Sequence, residues 1–260
     1  MLSEKFKNVI RSSHVLRWLV FPLAVLVRWA RKRKERRFWD FCLSLPKLVH
    51  EPVFVKVGAA DGITADPFSA LQLNGSNWRG LLIEPVPYYF DRLKANFPDA
   101  RRFSVEQVAI SAPAGEAAFY YVDETAKLSI PNLPAWYEQL GSFDRSHITK
   151  HLNGVLEPFI VECKVQVRPL SDVLRRNGIQ DVHLLIIDAE GHDYEVVKTL
   201  DLAVYAPLLI FVEHQHLPAA QKTEMVQLLR ELGYSVGDNN EDYFAFNEKA
   251  IKRLQARTRH

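Results

Sequence analysis

The chain has 260 residues, enough for one sizeable core with an added segment, and its 48% hydrophobic and 25% charged residues are ordinary for a soluble globular protein. Two cysteines, Cys42 and Cys163, lack metal-ligand spacing, argue against a disulfide framework and point to buried thiols in a reducing, cytoplasmic compartment. The net charge of +2 is unevenly spread: residues 1–37 carry 11 Lys and Arg against 2 Asp and Glu, so the remainder is acidic, and no aromatic-basic RNA motif speaks for a nucleic-acid partner.

Within the basic arm lies "HVLRWLVFPLAVLVRWA", His14 to Ala30. Its uncharged run, Trp18 to Val27, is about half the length that a bilayer-spanning helix needs. Arg17 and Arg28 bracket the run, Pro22 interrupts it, and "RKRKERR" (Arg31 to Arg37) follows. No small-residue cleavage site is evident, so no secretory signal peptide is expected. Three readings are open for residues 1–37: a helix on a membrane surface, a helix docked on the domain, or a nucleic-acid-binding arm. The Trp, Phe and Leu content favours the first, a peripheral contact with the cytoplasmic membrane face.

Residues 38–260 are expected to form one domain. Apolar runs at Val53–Val57, Gly80–Ile83, Phe103–Ile110, Val182–Ile187 and Leu208–Val212 read as strands without polar alternation. Amphipathic stretches such as "PYYFDRLKANF" (Pro87 to Phe97) and "EVVKTLDL" (Glu195 to Leu202) separate several of them. That alternation predicts an α/β fold, a doubly wound, mostly parallel sheet covered on both faces. Two further strands, "GEAAFYYVDE" (Gly115 to Glu124) and "FIVECKVQVRPL" (Phe159 to Leu170), flank an insert at about 125–156. The insert holds Trp136, Tyr137, Phe143, His147 and His151, is expected to contain two short helices, and reads as a substrate lid or a packed excursion. A helix over "PAAQKTEMVQLLRELG" (Pro218 to Gly233) and the strands "YSVG" and "EDYFAFN" close the chain, with "GDNN" turning an antiparallel hairpin on one sheet edge.

In such a sheet, ligands bind beyond the carboxyl ends of the strands. The first strand runs into "GAADG", Gly58 to Gly62, whose glycines permit backbone that other residues avoid and whose amides can meet an anionic group. The spacing is not the full G-x-G-x-x-G of a dinucleotide site. Glu84, 22 positions after Gly62 in "LLIEP", can accept hydrogen bonds from both hydroxyls of a ribose. Gln107, in "QVAIS", is placed to meet a base. "LLIIDAEGHDYEVVK" puts Asp188 at a strand end with Glu190, Gly191, His192 and Asp193 behind it, and "LLIFVEHQHLP" does the same with Glu213, His214 and His216. Burying so many ionisable groups is costly unless they face a ligand, a metal or one another.

In order, "VGAADG", "LLIEPVPYYFDRLKANF", "VAIS", "LLIIDAEGHDYEVVK" and "FVEHQHL" resemble the FkbM-type methyltransferases, over roughly Glu51 to Asn247. These are S-adenosylmethionine-dependent enzymes that mostly methylate hydroxyl oxygens of small molecules and sugars. The resemblance implies a class I methyltransferase fold with a seven-stranded sheet. It implies that Gly58 and Gly62 line the methionine part of the cofactor with Asp61 nearby, that Glu84 holds the ribose, and that Asp188 with Glu190 and Gly191 borders the methyl group; Ala60, Pro85, Gln107 and Ala109 are also expected among the cofactor-binding residues. Many relatives carry aspartate where Lys56 stands, so Lys56 is expected to meet either the cofactor's carboxylate or Asp61.

Methyl transfer from a sulfonium needs an acceptor oxygen held in line and relieved of its proton. His214 or His216 is the expected base, with Asp188 or Glu213 orienting it, and His192 and His147 as alternatives. His214 and His216, two apart on a strand, are expected to share a face. Asp188, Glu190, Glu213 and His214 also include ligand types that a divalent cation accepts, although no spacing requires one and none is expected. The expected acceptor is a saccharide or other small-molecule hydroxyl, such as a glycan or glycolipid precursor. A non-catalytic adenosine-ligand scaffold, a nicotinamide oxidoreductase and a methyltransferase of non-sugar acceptors are the alternatives.

Overall fold

The computed structural model describes residues 32–64, 66–69 and 77–257. Its strands are β1 (Val53–Val57), β2 (Arg79–Ile83), β3 (Phe103–Glu106), β4 (Ala109–Ile110), β5 (Gly115–Val122), β6 (Ile160–Arg168), β7 (Leu184–Ile187), β8 (Leu209–Glu213), β9 (Tyr234–Asp238) and β10 (Asp242–Asn247). Seven of them form the main sheet, in the order β3-β2-β1-β7-β8-β10-β9. The first five pair in parallel, and β10 runs antiparallel to both β8 and β9. This is the expected α/β sheet with its terminal hairpin.

The apolar runs are continuous because both faces of the sheet are covered. Val55, Val57, Leu185, Ile187, Ile210 and Val212 enter one core, closed by the helices Leu170–Arg176, Asp193–Lys198 and Ala219–Glu231. The alternate residues, Phe54, Leu184, Ile186, Leu209 and Phe211, enter a second core with Leu93 of helix Pro87–Asn96 and Ile251 of helix Glu248–Arg257. A helix over residues 32–48 completes that face. Its Phe38, Cys42 and Leu45, spaced to lie on one helix face, are fully buried.

That helix runs through residue 37, so the described end of the basic arm is continuous with a packed element. Arg37 grips Glu248 with two charge-assisted bonds of 2.6 and 2.8 Å, and Lys34 Nζ donates to the Val236 carbonyl at 2.7 Å. Burial pushes the Cys42 thiol up, consistent with an inert core residue. The apolar run of residues 14–30 lies outside the described residues.

One expected element divides. Residues 103–110 were expected as a single strand, but β3 ends at Glu106, Gln107 turns to solvent, and Ala109–Ile110 pair with β6 in a second sheet of order β4-β6-β5. The edge strand β3 is only half-buried past Phe103, whereas Val108, Ala109 and Ile110 are buried against the two sheets. The insert between β5 and β6 has its two expected short helices and three tight turns besides. It holds helices Ala126–Ser129 and Arg145–Thr149 and tight turns at Ala135–Gln139, His151–Gly154 and Glu157–Phe159. Ala126, Tyr137, Leu140, Ile148 and Leu156 give it a small core of its own.

Candidate active site

The end of β1 lies flush against the end of β7. Gly58 has φ +75°, and a Cβ there would sit 1.8 Å from the Asp188 carbonyl oxygen. The Gly58 and Ala59 amides both donate to the Ile83 carbonyl, at 3.1 and 3.0 Å, so the loop folds over the end of β2. There Glu84 Oε2 accepts from the Ala60 amide at 2.8 Å, and Oε1 from the Val86 amide at 2.9 Å. Burial outweighs these two bonds and the nearby charge of Lys56, and pushes the Glu84 carboxyl up to about 7.

Two residues of this loop serve the loop itself. Asp61 accepts from the amides of Ile63 and Thr64 and from the Thr64 hydroxyl, which closes the turn. Gly62, at φ +74°, is where the next helix packs: a Cβ would lie 2.4 Å from the Phe97 ring. Neither residue lines the cavity beyond the strand ends, which encloses about 240 Å³.

Lys56 does line it, and its partner among the described residues is not Asp61. Lys56 Nζ lies 2.6 Å from Asp66 Oδ2, with both side chains nearly buried. Asp66 also lines the cavity and escaped the sequence reading; the unmatched charge ten residues upstream was the only hint. Among the expected cofactor residues, Gly58, Ala60, Glu84, Pro85, Ala109, Asp188 and Glu190 line this space. Gln107 is exposed and its neighbour Val108 takes the wall instead; Gly191 is likewise not part of the lining. The insert contributes Gln139, Gly141 and Phe143, and Gln139 Nε2 donates to the Thr64 carbonyl at 2.8 Å, tying the insert to the first loop.

At the ends of β7 and β8, carboxylates crowd together. Asp193, fully buried, accepts from the amides of Ala189 (2.7 Å) and Gly191 (3.0 Å), and so fixes the turn in which Glu190 has φ 50° and Gly191 φ 90°. Burial, reinforced by the neighbouring acids, pushes both Asp188 and Glu213 well above the usual carboxylate range. Glu213 Oε1 accepts from Gln215 at 2.6 Å, while its buried Oε2 has no hydrogen-bond partner among the described residues.

The histidines separate. β8 ends at Glu213 and the chain then turns, so His214 and His216 do not share a face. His214 packs away from the cavity, its Nε2 3.2 Å from Asp238 Oδ1 and its ring stacked on Tyr243 at 3.8 Å. His216 turns toward Glu190 (3.7 Å) and Glu213 (4.0 Å). Two insert residues join it: His147 Nε2 is 3.0 Å from Glu190 Oε2, and His151 lies 5.0 Å from His147 and 5.4 Å from His216 between ring centres. His151 was noted only as part of the insert; its spacing of four from His147 was the available signal. His192 lines the cavity, with Nε2 3.0 Å from the Ser111 hydroxyl and its ring 4.8 Å from Phe143. Of the four cation-ligand residues noted in sequence, only Glu190 belongs to this cluster; Asp188, Glu213 and His214 do not.

The model of the methyltransferase FkbM domain matches residues 56–236. Methyltransferase sdnD of Sordaria araneosa is 24% identical over 223 residues, covering 76% of this chain and 80% of that protein. Among solved structures, methyltransferase FkbM from Methylobacillus flagellatus aligns over 75% of this chain at 15% identity and a TM-score of 0.45, and the chain spans only 43% of that protein's length. Aeropyrum pernix fibrillarin, solved with S-adenosyl-L-methionine bound, aligns over 75% of this chain and 65% of its own at 12% identity and a TM-score of 0.39.

Proposed function

The chain belongs to the FkbM methyltransferase domain family, and from that premise we propose that it is an S-adenosylmethionine-dependent O-methyltransferase acting on a hydroxyl of a saccharide, as in a glycan or glycolipid precursor. The observation that carries the cofactor assignment is the Glu84 clamp. Each carboxylate oxygen accepts one backbone amide and keeps a second acceptor position, as recognition of two adjacent ribose hydroxyls requires.

The remaining walls fit the same molecule. Val108, Ala109 and Val86 offer an apolar slot suited to a flat base. Lys56 and Asp66 bring opposite charges suited to an amino-acid carboxylate and ammonium. Bound S-adenosylmethionine supplies an electrophilic methyl group on a sulfonium. Around it, Asp188 and Glu190 border the opening toward the insert, and Phe143 and Gln139 restrict access of water from that side.

The acceptor is read from what surrounds that opening. Trp136, 40% exposed, has its ring 5.7 Å from His151 and presents an aromatic face suited to a sugar ring. The cluster of Glu190, His147, His151 and His216 is the chemistry available to relieve a hydroxyl of its proton. Of the residues first expected to act as base, His216 belongs to this cluster, whereas His214 serves the hairpin. Calorimetric titration with S-adenosylmethionine and with NADH tests the cofactor, and radiolabelled methyl transfer into saccharide-containing and saccharide-free extract fractions tests the acceptor. Binding of the sulfonium alone and label in the saccharide fraction are expected. Binding of NADH alone, or label confined to the other fraction, overturns the respective half.

A further inference from the structure

We propose that His147, His151, Glu190 and His216 form a binding site for a divalent transition metal, with Zn²⁺ the best match, that pins the insert to the strand ends of the sheet. Each residue offers one donor atom, and these atoms all lie within 4.8 Å of one another. A tetrahedral Zn²⁺ with bonds of about 2.0–2.1 Å holds its donors about 3.3 Å apart. Glu190 Oε2 already lies 3.0 Å from His147 Nε2 and 3.7 Å from His216 Nε2, so small side-chain rotations complete the shell.

A plain hydrogen bond between Glu190 and His147 would account for one imidazole. It gives no reason for two more rings to gather on the same carboxylate, His216 at 4.9 Å and His151 at 5.0 Å from His147 between ring centres. Three imidazoles and one carboxylate suit Zn²⁺ and its first-row neighbours better than Mg²⁺ or Ca²⁺, which prefer all-oxygen shells. A supporting group is also in place. Asp193 holds both amides that flank Glu190 and so fixes the turn that presents its carboxylate. Glu190 itself (φ 50°) and Leu152 beside His151 (φ 49°) adopt left-handed backbone that non-glycine residues rarely take, as ligand-presenting turns do.

The ligands come from two places that are distant in sequence. His147 and His151 belong to the insert, whereas Glu190 and His216 follow β7 and β8, so a cation would fasten the insert over the opening. Its part in the reaction rests on the methyltransferase reading above; its binding does not. Because Glu190 also lines the cofactor cavity, a hydroxyl oxygen joining the cation as a fifth ligand would stand at the methyl end. The cation eases breaking of the O–H bond, the proton passing to solvent. The oxygen's electron pair then forms the bond to the methyl carbon, and sulfur keeps the pair of the broken S–C bond.

The test uses the full chain stripped with a chelator, titrated with ZnCl₂ by calorimetry, then desalted and assayed for bound metal. One equivalent of zinc is expected in the wild type, and at least about 100-fold weaker binding in the His147→Ala/His216→Ala variant. Loading with Co²⁺ should give visible ligand-field bands that the variant lacks. The His147→Gln/His216→Gln variant, which retains side-chain bulk, replaces the alanine pair should the latter fail to fold. No stoichiometric zinc in the wild type, or equal affinity in the folded variant, overturns the site. S-adenosylmethionine titrated into the same stripped protein separates the two readings: cofactor binding without zinc removes only the metal site, and zinc binding without the cofactor removes only the cofactor assignment.

Discussion

Glu84 receives its amides from two loops, Ala60 after β1 and Val86 after β2, so one carboxylate sets the distance between the two strand ends that frame the cavity. That clamp has a measurable pH signature. The carboxyl titrates near 7 in the folded chain against an ordinary value of 4.5, chiefly because it is buried. A raised acid favours the folded state's proton uptake, so this group's contribution to unliganded stability grows as pH falls from about 7 toward 4.5 and is lost as pH rises again. Ribose hydroxyls require the opposite, the ionised acceptor. Affinity for S-adenosylmethionine should therefore fall below pH 7 by up to about tenfold per unit, the limit for one coupled proton. Glu84→Gln should bind more weakly at pH 8 and lose most of that slope. Titrations at pH 6, 7 and 8 on both proteins check it; a slope unchanged in the variant would detach Glu84 from the ligand.

Among the elements, the helix over residues 32–48 shows what a core contact decides. Phe38 meets the rings of Phe244 at 5.2 Å and Phe246 at 6.0 Å, on the antiparallel edge that distinguishes this sheet. Replacing it with alanine should cost about 3–5 kcal/mol in denaturant unfolding, as for other fully buried phenylalanines. A loss under about 1 kcal/mol would mean the helix is not docked in solution. Much of the element pattern was legible because period and burial agree: "LLIID" and "LLIFVE" could only be strands covered on both faces. Residues 103–110 misled for the same reason, since Val105 and Ile110 look alike in sequence while belonging to different sheets. The candidate site was legible wherever a strand end alone positions a residue, as at Gly58, Glu84 and Asp188. It was not legible where a turn redirects the chain, as between His214 and His216, or where another segment supplies the partner, as Asp66 does for Lys56 and His147 for Glu190.

For the molecule as a whole, charge and architecture pull the same way. The catalytic half is acidic around its strand ends, whereas residues 1–31 carry 6 Lys and Arg against a single Glu. Lys34 and Arg37 fasten the described end of the arm beside β9 and the helix Glu248–Arg257. No helix among the described residues is long and apolar enough to cross a membrane. An arm of this composition gains about 1 kcal/mol per basic residue at an anionic surface, on top of what its Trp, Phe and Leu side chains contribute by insertion. The full chain should therefore float with vesicles containing phosphatidylserine and much less with neutral phosphatidylcholine vesicles, and rising salt should release it. Deleting residues 1–31 should abolish flotation while leaving S-adenosylmethionine affinity within about twofold, since the described lining of the cavity lies at the strand ends and in the insert. Flotation that survives the deletion would assign membrane binding to the domain, and flotation indifferent to lipid charge would leave the basic residues without this role.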